Sequence, residues 1–171
     1  MASWEGKVLL WVQESLRANF LTPFFRFVSR LTDHGEVWIL LTAVFLLFRP
    51  TRREGWVLAA TLAVDYLFVN VLLKNAVSRE RPFEVVDGLS VLISPPRDYS
   101  FPSGHTAVCF AMSTALFLAG YRKSGLFCFF YSALVGFSRL YLGVHYPTDV
   151  LAGALTGSLV ALAVRYILLS P

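Results

Sequence analysis

Three short polar clusters interrupt an otherwise apolar chain, and the residue types in them suit the binding of an anion. The clusters are KNAVSRERP at 74–82, PSGH at 102–105 and SRLYLGVHYPTD at 138–149. They supply three cations that can bind phosphate oxygens, namely Lys74, Arg81 and Arg139. Ser103 adds a hydroxyl, and Gly104 leaves room for backbone N–H groups to approach an anion at a helix start.

Two histidines accompany these anion-binding groups. His105 ends the second cluster, and His145 stands four residues before Asp149 in the third. A carboxylate at this spacing can return to the imidazole across one helical turn, fix its tautomer and leave its other nitrogen free. Such a set suits phosphoryl transfer, in which positioning and electrostatic stabilisation dominate catalysis. One imidazole would attack phosphorus, and the other would protonate the leaving oxygen.

The elements that must position these clusters are apolar enough to lie in a membrane. The chain has 171 residues, of which 56% are hydrophobic, and a mean hydropathy of +0.61. Soluble domains average about 45–50% apolar residues. We therefore predict a single domain, 1–171, folded as an all-α polytopic membrane helix bundle with about five transmembrane helices. The predicted spans are about 34–48, 56–73, 105–120, 125–142 and 149–169.

The segment before the first span has a different character. Residues 4–30 mix aromatic and basic side chains and contain Pro23. This composition is typical of an amphipathic helix that lies in the membrane interface and breaks near the proline. A sixth span is the alternative, although it would place Glu14 and Arg17 inside the bilayer.

The connections between spans predict the orientation. RPTRRE at 49–54 and YRKS at 121–124 are short and basic, which indicates that both are cytoplasmic. The longer connection 74–103 then lies on the extracytoplasmic side. The first two polar clusters border that connection, and the third is reached after two further spans. All three clusters are therefore expected at the same membrane face, whether or not the N-terminal segment spans.

The three clusters together resemble a known signature. They read as K-x6-RP, PSGH and SR-x5-H-x3-D, which is similar to the three-part signature of the type 2 phosphatidic acid phosphatase family, shared with vanadium haloperoxidases. No signature position departs from that pattern. The resemblance implies that His145 is a nucleophile forming a phosphohistidine, that Asp149 orients it, and that His105 protonates the leaving group. It also implies a phosphate site made of Lys74, Arg81, Ser103, Gly104 and Arg139.

The same resemblance implies no metal and no cofactor, and a lipid phosphate or diphosphate as substrate. Candidates are lipid A 1-phosphate, undecaprenyl diphosphate, phosphatidylglycerol phosphate and phosphatidic acid. It further implies an integral protein of the bacterial inner membrane whose site faces the periplasm. The net charge of +4 fits contact with the bilayer and its anionic headgroups, and nucleic acid is not an expected partner. The sequence does not indicate an oligomeric state.

Three other functions are alternatives to hydrolysis. A lipid phosphotransferase would use the same phosphohistidine and pass the phosphoryl group to another hydroxyl. A vanadate-dependent peroxidase would share the histidines and cations, but such proteins are soluble. A non-enzymatic lipid flippase or binding protein would not need the pair formed by His145 and Asp149.

Several residues outside the signature carry separate expectations. Asp65 lies within a predicted span, where it is interpreted as a structural group, neutral or facing a polar interior with Asn70, with substrate contact as the alternative. His34 is expected in a helix-start turn capped by Asp33, with a headgroup contact as the alternative.

Basic and aromatic side chains near the predicted membrane surfaces are expected to anchor the protein there. The basic residues are Arg79, Arg97, Arg122 and Lys123, and the aromatic ones are Trp4, Trp11 and Trp38. Small residues recur in the last span at near-helical spacing, which predicts close helix packing. They are Gly153, Ala154, Gly157 and Ala161.

Overall fold

The computed structural model describes residues 3–169, and all regular secondary structure in that range is helical. The α-helices are α1 (Trp4–Leu16), α2 (Leu21–Arg30), α3 (Glu36–Leu47), α4 (Arg52–Asp65), α5 (Lys74–Val77), α6 (Pro82–Val85), α7 (Gly104–Leu118), α8 (Arg122–Tyr141) and α9 (Pro147–Leu169). A π-helix, Tyr66–Leu73, joins α4 to α5. The all-α prediction is confirmed for this range, while the ends of the predicted domain, residues 1–2 and 170–171, lie outside it.

Helices occupy each of the five predicted apolar segments. Within residues 3–169, two helical segments are long and apolar enough to cross a membrane by length and composition, Arg49–Val85 and Pro147–Leu169. The helices α3, α7 and α8 occupy the other three segments. The positions of the helices therefore agree with the sequence, and the number of spans stays a prediction.

The central helix of the bundle is α7, which packs against α8 and α9 and also contacts α4. Glycines of α9 make this packing close, as the stripe of small residues predicts. A Cβ on Gly157 would collide with the carbonyl oxygen of Ala107, and one on Gly153 would lie 2.6 Å from that of Ser103. At the end of this contact the Ser103 N–H donates to the Asp149 carbonyl at 3.0 Å. The packing of α7 on α9 thus brings the second and third polar clusters together.

The helix α1 lies against the end of the bundle that carries the polar clusters. Arg17 donates from Nε to the carbonyl oxygen of Tyr141 at 3.0 Å, and Gln13 donates to that of Gly88 at 2.9 Å. The 13 residues of α1 extend about 20 Å, whereas the hydrocarbon core of a bilayer is about 30 Å thick. These features favour the interfacial interpretation of the N-terminal segment over a sixth span.

The tryptophans divide into two groups. Trp4 and Trp11 are exposed, as expected of interfacial anchors. Trp38 is only 2% exposed and packs near Tyr131, with 6.3 Å between ring centroids. Its assignment to the interfacial belt was wrong, because α3 turns this side chain inward against α8.

We predict that Gly157→Ala destabilises the bundle, because the added methyl group would meet the backbone of α7. Overpacking of this kind typically lowers the free energy of unfolding by about 1–3 kcal/mol. Thermal unfolding of the detergent-solubilised protein measures the effect. The control is Ala163→Val on the exposed face of α9, which should change stability by less than about 0.5 kcal/mol. Equal Tm values for the two variants would contradict the close approach of α9 to α7.

Candidate active site

Residues from all three polar clusters meet in one cavity of about 730 Å³. Six of the eight predicted site residues line it, and these are Lys74, Arg81, Gly104, His105, Arg139 and His145. The other two, Ser103 and Asp149, are fully buried behind it. Three clusters that begin 28 to 64 residues apart in the chain are thus brought together by the packing of α5, α7, α8 and α9.

The three predicted cations are unusually buried. Lys74, Arg81 and Arg139 are 5%, 3% and 2% exposed, although lysine and arginine are almost never fully buried unless they are paired. Arg139 donates to the hydroxyl of Ser29, and its Nε has no hydrogen-bond partner within residues 3–169. Such a concentration of partly satisfied cations in low dielectric favours an anionic ligand.

Asp98, which the sequence did not single out, neutralises part of this charge. Its carboxylate pairs with Lys74 and accepts from the Arg81 guanidinium at 2.7 Å. Burial opposes ionisation of Asp98, but the hydrogen bond and charge of Lys74, followed by the charge of Arg81, lower its pKa. The carboxylate therefore lies where the oxygens of a phosphate would compete for the same two cations.

His145 lies in the bend two residues before α9, and Asp149 lies in the first turn of that helix. The Nδ1 atom of His145 is 3.5 Å from Oδ2 of Asp149, and its Nε2 atom is 3.4 Å from the Arg81 guanidinium. The first distance is long for a hydrogen bond. The imidazole thus presents Nδ1 to a carboxylate and Nε2 to the cations, which is the orientation that nucleophilic attack by Nε2 would need.

The environment of His145 favours its neutral form. Burial lowers the pKa of His145 well below 6.5, and the nearby guanidinium and ammonium groups lower it further. A neutral imidazole has a free lone pair on one nitrogen, as a nucleophile must.

Asp149 is held from several sides. Its Oδ2 atom accepts from the Ser100 hydroxyl at 2.5 Å and from the Tyr146 N–H at 2.9 Å. Its Oδ1 atom accepts from the Arg79 guanidinium at 2.6 Å. These hydrogen bonds fix the position of the carboxylate independently of His145.

Arg79 is not the surface anchor that the sequence predicted. Besides Asp149, its guanidinium donates to the Glu5 carboxylate at 2.6 Å, and it lies 3.9 Å above the Tyr146 ring. Glu5 also accepts from the Thr148 hydroxyl at 2.6 Å. The expectation failed because the partner Glu5 comes from α1, far away in sequence. Arg79 thus links the N-terminal helix to the carboxylate behind His145.

His105 also has a partner that the sequence missed. Its Nε2 atom lies 2.8 Å from Oδ1 of Asp33. Asp33 was predicted to cap a helix, but α3 has no side-chain cap hydrogen bond. Burial opposes ionisation of Asp33, whereas its hydrogen bond to His105 and the charges of His105 and Arg139 lower its pKa. The neighbouring His34 is exposed and lines the mouth of the cavity.

The PSGH turn makes different contacts from those predicted for its serine. The Ser103 hydroxyl accepts from the Thr106 hydroxyl at 3.0 Å, so it is engaged within α7 rather than facing the cavity. Gly104 does face the cavity, and a Cβ at this position would collide with Oδ1 of Asn70. Asn70 belongs to the π-helix, a form that is frequent at functional sites. Gly104 thus leaves room for the Asn70 side chain between the π-helix and the start of α7.

A search of residues 3–169 finds no group of three or more histidine, cysteine, aspartate or glutamate side chains placed to hold a metal ion.

A family model described as the PAP2 superfamily matches residues 54–170. The chain belongs to the PAP2 superfamily. An undecaprenyl-diphosphatase of Sulfolobus acidocaldarius is 36% identical over 133 residues, which are 75% of this chain and 63% of that relative. The chain therefore spans less than two thirds of the length of that relative.

Two solved structures share the fold of this PAP2 protein. The crystal structure of Aquifex aeolicus LpxE has a TM-score of 0.81 at 27% sequence identity, with 92% of each chain covered. The transmembrane PAP2-type phosphatidylglycerolphosphate phosphatase of Bacillus subtilis has a TM-score of 0.79 at 25% identity, with 95% of this chain and 83% of that chain covered. The resemblance to the phosphatidic acid phosphatase family is thereby confirmed.

We predict that His145 is neutral in the folded protein at pH 6.5, where an ordinary histidine is half protonated, because burial and neighbouring cations lower its pKa. NMR of protein with isotopically labelled histidine follows its protonation, and His145→Asn assigns the signal. The pKa of His145 is lower in the folded than in the unfolded state. Below about pH 6.5 the unfolded chain therefore binds the proton more readily, and acidification favours unfolding.

Arg81→Met removes one of these cations and should move the titration of His145 upward. A wild-type titration of His145 centred near pH 6.5 would contradict the electrostatic description of the site.

Proposed function

We propose that this PAP2 protein hydrolyses a lipid phosphate or diphosphate, without a metal ion, through a phosphohistidine on His145. The observation that carries the proposal is the meeting of three buried cations and two histidines at the head of a cavity whose remaining walls are mostly apolar. Cations supply the positive charge that phosphoryl transfer requires.

The apolar part of the cavity supports a lipid substrate. Its walls come from α3 and α4 and include Ile39, Ala43, Leu46, Ala59, Leu62 and Ala63. Ligand sites of this kind combine apolar walls with a few convergent polar groups. A lipid would place its hydrocarbon chain in this groove and its phosphate among the cations. The names of the relatives, an undecaprenyl-diphosphatase and a phosphatidylglycerolphosphate phosphatase, agree with such a substrate.

In the first step the phosphate oxygens bind Lys74, Arg81 and Arg139, together with N–H groups at the start of α7 near Gly104. The phosphate competes with Asp98 for two of these cations. Nε2 of His145 then attacks phosphorus in line, and the new P–N bond forms as the P–O bond to the leaving group breaks. Asp149 faces Nδ1 and stabilises the positive charge that develops on the ring.

His105 is the proposed acid in this step. It gives its proton to the leaving oxygen, and the contact between its Nε2 atom and the Asp33 carboxylate at 2.8 Å fixes the orientation of the ring. In the second step His105 takes a proton from water, whose oxygen attacks phosphorus and breaks the P–N bond. Inorganic phosphate leaves and both histidines return to their initial states.

Two groups position the nucleophile without touching substrate. Arg79 and Glu5 hold Asp149 from the side opposite His145. Ser103 also acts indirectly. Its hydroxyl accepts a hydrogen bond from the Thr106 hydroxyl, and its N–H donates to the Asp149 carbonyl. We assign Ser103 to the support of the phosphate site rather than to direct phosphate contact.

We further propose that the protein has the membrane topology that the sequence predicts. Five helices span the bacterial inner membrane, the N-terminal helices lie in the interface, and the cavity opens at the periplasmic face. The ion pair between Arg165 and Glu54, at 2.8 Å, supports this, because it joins the end of α9 to the predicted cytoplasmic connection. The candidate substrates are those named above.

The test is release of phosphate by the purified full chain in detergent with excess EDTA. The panel contains undecaprenyl diphosphate, phosphatidylglycerol phosphate, phosphatidic acid and lipid A 1-phosphate. We expect release from at least one lipid, and a loss of about 10³-fold or more in kcat for His145→Asn, because the covalent step is removed.

His34→Asn is the matched control, since this third histidine lies exposed at the cavity mouth. It should lose far less activity than His145→Asn. Equal activity of His145→Asn and the wild type, or release that requires added metal, would overturn the proposal.

A further inference from the structure

A carboxyl group stands unpaired in the apolar part of the cavity. Asp65 is the last residue of α4, is 1% exposed, and lines the same cavity as Lys74 and His145. Neither of its carboxyl oxygens has a hydrogen-bond partner within residues 3–169. Asn70, which the sequence suggested as a neighbour in a polar interior, lines the cavity as well but does not bond to Asp65.

This carboxyl group is not explained by folding stability. A buried polar group without a partner destabilises the folded state, and ionisable side chains at membrane depth usually serve function. The cavity that Asp65 lines also includes Leu62, Ala63 and Val108, and both of its carboxyl oxygens are buried away from any polar partner within residues 3–169. In such surroundings a carboxyl group is most stable as the neutral acid, which has one O–H donor and one carbonyl acceptor. Asp65 therefore offers a hydrogen-bonding site to a neutral group of a ligand.

The position of Asp65 limits which part of a lipid could reach it. Asp65 and Lys74 lie nine residues apart on one continuous helical segment, at most about 13 Å along its axis. In a glycerophospholipid or an acylated sugar phosphate, ester or amide carbonyls follow the phosphate within a few bonds. A polyprenyl diphosphate carries only hydrocarbon beyond its phosphates and would leave Asp65 unpaired.

We propose that Asp65 determines specificity by hydrogen-bonding to the ester or amide linkage of an acylated lipid phosphate. The protein then prefers acylated lipid phosphates to polyprenyl diphosphates. This inference rests on the proposed function and names the substrate class within it. It gives a role to a buried carboxyl group that the apolar character of the groove does not explain.

The test compares lipids that differ only in the linkage. Phosphatidic acid with two ester-linked chains is measured against its diether analogue of the same chain length, and both against undecaprenyl diphosphate. We expect the wild type to favour the diester over the diether by roughly tenfold or more in kcat/KM, since the ether lacks the carbonyl acceptor. Asp65→Leu should bring that ratio close to one, and Asp65→Asn should retain most of it.

Thr61→Val is the matched control. Thr61 is buried one turn before Asp65, its hydroxyl donates to the Val57 carbonyl at 2.8 Å, and it is not among the residues that line the cavity. This variant should keep the wild-type ratio of diester to diether. In addition, Asp65→Leu should unfold at the same or a higher Tm than the wild type, because it removes an unpaired buried carboxyl group.

A binding measurement separates this inference from the proposed function. The Kd values of the diester and diether lipids are compared in His145→Ala and in His145→Ala with Asp65→Leu. If no lipid is hydrolysed but the second substitution abolishes the difference in Kd, hydrolysis is overturned and the role of Asp65 is supported. If hydrolysis occurs and Asp65→Leu keeps the wild-type ratio, the role of Asp65 is overturned alone. Higher wild-type kcat/KM for undecaprenyl diphosphate than for the diester would also overturn it.

Discussion

The burial of three cations beside a neutral histidine is the constraint on which the rest of the structure depends. Lys74, Arg81 and Arg139 lie in low dielectric, where each charge needs partners. Asp98 pairs with two of them and Ser29 bonds the third. Burial, together with the same charges, lowers the pKa of His145 and favours its neutral form. A phosphate that enters the cavity completes the charge balance, so ligand binding and electrostatic stability of the site are coupled.

The helix packing and the N-terminal segment both serve this arrangement. The glycines of α9 allow its first turn, with Asp149, to lie against the start of α7. From the other side, α1 contributes Glu5, which holds Arg79 against the same carboxylate. The N-terminal helix is therefore part of the active-site support and not only a membrane anchor.

Hydropathy predicted the positions of the helices, and the short motifs predicted which residues come together. The five apolar segments are helices, and residues of all three motifs line one cavity, because the order of motifs and helices along the chain determines which helix ends come together. The sequence did not predict the partners of Arg79, His105 and Arg81. Glu5, Asp33 and Asp98 reach them from distant segments, and no local pattern marks such contacts. The inward position of Trp38 was missed for a related reason, since α3 is apolar on all sides and its pattern does not distinguish a bundle-facing from a lipid-facing residue.

The central claim is a covalent intermediate on His145, and direct trapping tests it best. Purified protein is mixed with a radiolabelled lipid phosphate that it hydrolyses, quenched in alkali within milliseconds to seconds, and digested for peptide analysis. A phosphohistidine is stable in alkali and labile in acid, so the claim predicts alkali-stable label on the peptide that contains His145, and none in His145→Asn. Turnover without label on that peptide, or label on another residue, would contradict it.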